Sequence, residues 1–439
     1  MALANDGSPE GQRHLPKSML SRFHRNVLQM PQPLDAFSWN PTDPAFRADP
    51  YPWYKALREQ APVLHHPEVG FVISRYTDIE ALLRDTRLGV STPSPWRELI
   101  AQHASPALCR LGELTLLFID PPEHSRVRSL FAKTFTPRRV AELQPHLEKT
   151  VETILDRLEP LDEFDIMSEI AEPFPILSIT HLLGVPDSDW TELHRWTTAI
   201  TAFNELPVDF NALTGANEAA TEFDLYCRSI IDERRSAPGD DLITALLASE
   251  EDGARLSIDE IVAMLILLLM AGHDTTKSLI SSGLRELLRH PDQADLLRND
   301  PSLITSAIEE LLRFESPLHV ASGGGRWASE PFELHGVTIT PGTSVRLLLG
   351  SGNRDPDAFE NPDRLDIQRA PKPHLAFGKG IHFCIGAALG RQEAQIVIPR
   401  VLTRFQDLEV TKDDLTWRSN FVTRQLTELP VRRATRAAS

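Results

Sequence analysis

Apolar residues recur with a helical period along most of the chain, at about 78–85, 123–133, 137–159, 166–183, 188–203 and 214–236, which predicts a succession of amphipathic helices. Strand signals are few. Two short apolar runs, 63–65 and 71–73, flank a turn containing Pro67 and Gly70 and predict a hairpin after a short helix ending near Arg58. A turn at 238–241 precedes a helix at 242–247, and the stretch 256–260 supplies an N-cap for the longest apolar run, residues 261–272. That run is too apolar all round for a surface helix, so it predicts a buried helix through the centre of the molecule. Helices are expected again at 292–299 and 301–314, followed by short strands near 326–327, 332–334, 338–339 and 344–348. The expected fold class is mainly α with a small β-sheet subdomain. Residues 1–40 show no period and read as a flexible leader. No repeat or Pro/Gly linker divides the remainder, so 41–439 is expected to be a single catalytic domain.

Composition narrows the function without choosing it. The 439 residues are 41% hydrophobic and 24% charged, an ordinary globular balance. A net charge of −17 argues against nucleic acid as a partner, because phosphate recognition needs a basic face. The apolar run 261–272 is about twelve residues, short of the roughly 18 to 20 that cross a bilayer, so no membrane anchor is expected. Three cysteines, Cys109, Cys227 and Cys384, are too few and odd in number for a disulfide framework and point to a reducing, cytoplasmic setting.

The chemistry concentrates in four places. Residues 377–386 read F-G-K-G-I-H-F-C-I-G, a loop whose glycines let the backbone approach a flat ligand and which delivers Cys384 to the start of a helix. Amides at a helix N-terminus favour a thiolate, so Cys384 is a candidate metal ligand. Within the central apolar helix, A-G-H-D-T-T at 271–276 places an acid, Asp274, beside an alcohol, Thr275. A threonine hydroxyl there bonds the carbonyl four residues back and opens or bends the helix, and an acid next to it suits proton delivery. Glu310 and Arg313 share a helix face at i and i+3; read alone, such a pair is worth about 0 to 1 kcal/mol at a surface. His124 and Arg128, at i and i+4, reach toward one point and would pair with a carboxylate.

Residues 377–386 fit F-x-x-G-x-x-x-C-x-G, and the chain resembles the cytochrome P450 family in its soluble bacterial form. The resemblance covers about residues 45–435. It implies the cytochrome P450 fold, with haem b (iron protoporphyrin IX) between the long central helix and the cysteine-loop helix. Cys384 is then the axial iron ligand, Phe377, Gly386 and Ala271 border the haem, and His124, Arg128, Arg326 and His382 meet its propionates. Asp274 and Thr275, about 110 residues before the cysteine, become the oxygen-activating pair. Glu310 and Arg313 join Arg364 in a buried network supporting the cysteine loop.

Substrate-facing positions implied by the resemblance are the 91–117 loop, Met270, Ala271, Val320, Ala321 and 420–422, including Phe421. The link before Arg326 departs from the family in its triglycine, Gly323 to Gly325. The implied activity is a monooxygenase that uses O2 and two external electrons to hydroxylate or epoxidise a hydrophobic small molecule, with a role in secondary metabolism. Electrons would come from a ferredoxin or flavodoxin with an NAD(P)H-dependent reductase, docking on basic residues such as Arg126, Arg138, Arg139, Lys372, Lys379 and Arg391. The protein is expected to be a monomer. Alternatives are a peroxide-using or redox-neutral haem-thiolate enzyme and a non-catalytic haem sensor.

Overall fold

The computed structural model describes residues 39–434 apart from 68, 203–209, 252 and 322–324. Residues 1–38 of the expected leader lie outside the described residues. Its end is not loose: Trp39 is buried against Phe46, His66 and Phe421. The packed chain therefore includes Trp39, which the sequence reading assigned to the leader.

After a helix at Tyr51–Gln60, strands β1 (Val63–His66) and β2 (Gly70–Ile73) form the expected antiparallel hairpin, with Val63 opposite Ile73. A two-residue strand β3 (Leu88–Gly89) follows. The stretch 91–117, expected as a loop, contains helices at Ser94–Ala101 and Pro106–Leu114. Ser105 caps the second by accepting the Leu108 N–H at 3.2 Å, with Pro106 in the first turn, where its missing N–H costs nothing. Next comes α1 (Glu123–Thr134). The single helix expected over 137–159 is two, Pro137–Glu142 and Gln144–Leu158. Pro145 lacks an N–H and crowds the preceding turn, so the helix ends and restarts at Leu143.

Strand β4 (Glu163–Asp165) leads through a π-helical turn into α2 (Pro173–Leu183), then α3 (Trp190–Thr201) and α4 (Phe210–Ser236). The central helix α5 (Ile258–Arg289) opens on a capping box: Ser257 Oγ accepts the Glu260 N–H at 3.2 Å while Glu260 accepts the Ser257 N–H at 2.7 Å. Its residues Ile261 to Leu267 are all buried, as the apolar run predicts. Helix α6 (Ile304–Phe314) follows, then strands β5 (Arg326–Ala328), β6 (Phe332–Leu334), β7 (Val337–Ile339) and β8 (Ser344–Leu347). The chain ends with α7 (Ala387–Arg404), β9 (Leu408–Val410) and β10 (Pro430–Arg433).

The main sheet has the order β1-β2-β8-β5-β3, and a second has the order β9-β10-β4. Strand β8 runs parallel to β2 and antiparallel to β5, pairing Val345 with both Phe71 and Arg326. Most of the core belongs to the helices, with α5 packed on α2, α4, α6 and α7. Smaller apolar clusters lie around the sheet.

The buried charge network has a different third member from the one expected. Arg313 grips Glu310 with two bonds of 2.7 and 2.8 Å, and Arg369 donates to both Glu310 oxygens at 3.1 Å. Arg364 instead lies in a turn closed by its N–H to Asn361 O, so its side chain is exposed; only its carbonyl takes part, accepting from Arg313 and Arg369. A second buried cluster has no counterpart in the sequence reading. Arg424 pairs with Glu315 at 3.2 Å, lies over the Trp417 ring and bonds the Arg47 and Ala48 carbonyls, while Tyr51 donates to Glu315 at 2.9 Å.

Removing one partner of a buried ionic network leaves the others uncompensated, at a cost of about 3 to 5 kcal/mol. Glu310→Ala is therefore expected to yield aggregate or protein that fails to retain its cofactor. Arg364→Ala should stay within about 0.5 kcal/mol of the parent in denaturant unfolding, because that side chain is exposed.

Candidate functional site

The cysteine loop is shaped by two left-handed glycines, Gly378 (φ 66°) and Gly380 (φ 71°). A Cβ at Gly380 would come within 2.7 Å of the Leu83 carbonyl oxygen, so no larger residue fits there without moving backbone. A 3-10 turn at Gly380–His382 follows, and the Cys384 N–H closes the loop on the Phe377 carbonyl at 2.9 Å. Cys384 is thereby set just ahead of the first turn of α7. The Phe377 ring is covered by the Arg391 guanidinium at 4.4 Å, itself paired with Glu309 at 2.6 Å.

The thiol is not kept ionised by the helix alone. Cys384 is exposed as a residue, but the protein packed around its sulfur desolvates it and pushes the thiol up, and the Gly386 N–H, Arg128 and Arg391 only partly oppose that. A bound metal cation would supply the missing charge, since coordination deprotonates a thiol outright.

Across from the loop, α5 carries an open stripe on an otherwise buried cylinder. Ala271 is exposed and Met270 and Thr275 are partly open, although Leu269, His273, Asp274 and Thr276 are buried around them. Helices α5 and α7 come together where Gly390 faces Thr276. Cys384, just ahead of α7, and Ala271 on α5 are both open and each lies within about two turns of that contact; the opening beside them is the candidate cleft.

Thr275 Oγ1 donates to the Ala271 carbonyl at 2.7 Å, the expected bond across one turn. Gly272 does not open the helix: a Cβ there would strike Ile179 of α2 at 2.4 Å, so the glycine lets two helices approach. Asp274 is buried behind the cleft, with Lys277 Nζ 2.7 Å and His273 Nδ1 3.7 Å from its Oδ1. Burial raises the Asp274 carboxyl, but the Lys277 ammonium, His273 and Arg418 outweigh it and hold it below the usual carboxylate range.

Four basic groups gather at one end of the cleft. The His124 and His382 rings lie 4.3 Å apart; neither nitrogen of buried His124 has a hydrogen-bond partner. Burial, with Arg326 and His124 adding, brings His382 down to about 3, and burial brings Arg326 to about 10. Asp120 is the nearby carboxylate, already engaged by the Val90 and Ser91 N–H groups at 2.9 Å. Arg128 donates to the Phe383 carbonyl at 2.8 Å, tying α1 to the cysteine loop. Crowded like charge and an orphaned imidazole are what a ligand bearing two carboxylates would relieve, so these residues fit the propionates of haem.

The substrate positions divide. Met270 and Ala271 face the cleft, but Val320 is 0% exposed in the cluster of Trp39, Tyr54 and Leu348, so it serves packing. Ala321 is buried with its N–H on the Leu347 carbonyl at 3.0 Å, and Phe421 leans on Trp39 with ring centroids 5.8 Å apart. Of the triglycine, Gly323 and Gly324 lie outside the described residues. Gly325 (φ 101°) makes room for the Arg346 guanidinium, which a Cβ would meet at 2.6 Å. The sequence reading missed Glu393 on α7, a fully enclosed carboxyl that burial raises to about 8 against the hydroxyls of Ser178 and Thr276.

Comparison with known proteins places the chain. The family model "Cytochrome P450" matches residues 206–427. The chain is 42% identical over 401 residues to cytochrome P450 107B1 of Saccharopolyspora erythraea, covering 89% of this chain and 96% of that protein. It is 39% identical over 401 residues to cytochrome P450 monooxygenase PikC of Streptomyces venezuelae, covering 88% and 92%. Among solved structures, P450BioI in complex with an acyl carrier protein ligated to hexadec-9Z-enoic acid superposes with a TM-score of 0.83 at 36% identity, covering 89% of this chain and 99% of that one. A fold of buried central helix, cysteine loop and minor sheet, with relatives this similar over nearly the whole length, defines a haem-thiolate monooxygenase of small molecules. The chain belongs to the cytochrome P450 family, in its bacterial form, and haem b is the family's cofactor.

Because a Cβ at Gly380 meets backbone and a left-handed φ is unfavourable for other residues, Gly380→Ala is expected to cost about 1 to 3 kcal/mol. The loss should appear as a lowered melting temperature of the haem-loaded protein together with faster haem transfer to apomyoglobin.

Proposed function

We propose that Cys384 would ligate the haem iron and that His124, Arg128, Arg326 and His382 would hold the haem propionates. What supports this reading is an open cysteine just ahead of α7, an open stripe on α5 near where α7 packs on it, and a desolvated basic cluster beside the cysteine loop. When bound, haem supplies the reductive activation of O2 and the insertion of one oxygen atom into a substrate C–H or C=C bond. The chain's residues provide the rest. Met270 and Ala271 wall the cleft with apolar surface, which favours a hydrophobic substrate and excludes water. Thr275 offers a hydroxyl at the open face, and Asp274, anionic behind it, receives protons from the interior side and passes them forward.

For electron supply we read an acidic ferredoxin or flavodoxin, itself served by an NAD(P)H-dependent reductase. The basic patch is narrower than the sequence implied: Arg126 pairs with Glu260, Lys379 with Glu80 at 3.1 Å and Arg391 with Glu309, while Lys372 bonds the Ala358 carbonyl. What supports docking is a surface depression of about 330 Å³ at the end of α1, lined by Lys133, Thr136, Arg138, Arg139 and Glu142, although there too Arg138 pairs with Glu142 at 2.9 Å and Arg139 lies 3.6 Å from Asp240. Among the described residues no helix is long and apolar enough to cross a membrane.

Two measurements test the reading. Reduced wild-type protein under carbon monoxide should show the far-red-shifted Soret band of thiolate ligation, and Cys384→Ser should lose it; a histidine-type spectrum unaffected by the substitution would remove Cys384 from the iron. Thr275→Ala should keep its haem while diverting NAD(P)H electrons to hydrogen peroxide. Unchanged product per NAD(P)H would exclude the hydroxyl from proton delivery.

A further inference from the structure

One arginine of the main sheet lacks a counter-charge. Arg346 of β8 is half-buried, and among the described residues its hydrogen bonding is a single bond from Nε to the Val69 carbonyl at 3.3 Å, beyond the usual range. No described carboxylate pairs with it, and burial alone brings it to about 10. Other enclosed guanidinium groups are engaged: Arg313 by Glu310, Arg424 by Glu315, Arg354 by Asp363 and the Phe314 carbonyl, and Arg58 by the Ser351 carbonyl and hydroxyl. Arg326 is also brought to about 10, and a haem propionate is its proposed partner. A desolvated charge of this kind needs an anion, and for Arg346 the protein supplies none among the described residues.

The fold makes room for this side chain. In the antiparallel pairing of β8 with β5, Ser344 stands opposite Trp327 and Val345 opposite Arg326, so Arg346 comes opposite Gly325. A Cβ on left-handed Gly325 would lie 2.6 Å from Arg346 Nη1 and 2.9 Å from Cζ, so the guanidinium occupies space that a side chain would take. Side chains alternate along a strand, so Arg346 and Arg326 point to opposite faces of the sheet. Propionates held by Arg326 therefore do not serve Arg346. On the Arg346 face its neighbour in β2 is Val72, 0% exposed in the apolar cluster of Trp39, Val69 and Val320, which half-buried Phe421 borders. Ser344, two residues earlier and so on the same face, has an enclosed hydroxyl without a hydrogen-bond partner.

We propose that Arg346 anchors the carboxylate of a hydrophobic acid, its Nη1 and Nη2 donors taking the two carboxylate oxygens while the apolar remainder lies along the Val69 and Phe421 side of the sheet. The acid is then the substrate of the monooxygenase proposed above, and that step rests on the haem reading; capture of the anion needs neither haem nor oxygen. An inorganic anion offers the same charge but nothing for the apolar surface to hold.

The test is calorimetric titration of the haem-loaded protein with dodecanoate and cholate, each beside its methyl ester, and with acetate and inorganic phosphate. At least one acid is expected to bind about tenfold more tightly than its ester, the lower range for a hydrogen bond to a charged group, and more tightly than either small anion. Arg346→Gln should bring that ratio to about one with the ester affinity unchanged, and Arg346→Lys should keep part of it, because it retains the charge without the fork. Removing an unpaired charge should leave the melting temperature of the ligand-free protein unchanged or raised; a clear fall in Arg346→Gln would mark the guanidinium as structural and overturn the anchor. Equal affinity for acid and ester, a ratio unmoved by Arg346→Gln, or small anions binding as well as the acids would each overturn it too. The carbon monoxide spectrum is read on the same samples. A thiolate band without acid preference overturns the anchor and leaves Cys384 on the iron, whereas Arg346-dependent acid preference with a histidine-type spectrum supports the anchor and removes Cys384.

Discussion

Two guanidinium groups, Arg313 and Arg369, converge on the single carboxylate of Glu310. The irregular stretch after β8 is tied to α6 at that point. Arg313 also reaches the carbonyls of Asn353 and Pro362, fixing both ends of an irregular stretch that has no ladder of its own. Asn353 then accepts the Leu375 N–H at 2.7 Å, and Leu375 accepts the Gly378 N–H at 2.8 Å at the entry to the loop. The neighbouring Glu309 holds Arg391 on α7 and His374 from the other side. A loop that must hold one sulfur atom against a flat cofactor cannot rely on its own glycines for rigidity; α6 supplies it through charge.

The cleft is electrostatically lopsided. At the basic end, imidazoles and a guanidinium are crowded until burial depresses their basicity, a state that an anionic ligand relieves. Behind α5 the reverse holds, with an acid kept ionised by an adjacent ammonium. In the proposed reading, cofactor retention and proton supply fall to separate groups on separate elements, so either could be altered without direct contact with the other.

The sequence was most legible where local rules act alone. Hairpin β1-β2, the capped central helix, the strands after α6 and the cysteine loop all followed from period, caps and glycine spacing. It was less legible where a turn decides which of several similar residues points inward. Arg364 and Arg369 are both arginines in one irregular stretch; Arg364, in the turn after Asn361 (φ 45°), is exposed, whereas Arg369 is half-buried against Glu310. The helices within 91–117 were missed although Ser105-Pro106 is a readable start signal, because their apolar faces are short. Val320 was assigned to the pocket, yet it fills the cluster around Trp39, a contact from outside the expected domain that no local pattern announces. Lys277 and Glu393 are charged residues in helical runs, and their complete burial depends on which helices cross there.

The meeting of Trp39 with Phe421 joins nearly the two ends of the chain. A contact of such sequence separation forms late, because almost the entire polypeptide must be made and ordered before its partners coexist. While the chain emerges from the ribosome, Trp39 lacks its C-terminal partner until the stretch bearing Phe421 appears. The packing of Trp39 on Phe421 is therefore completed only after the helices from α1 to α7 have been synthesised.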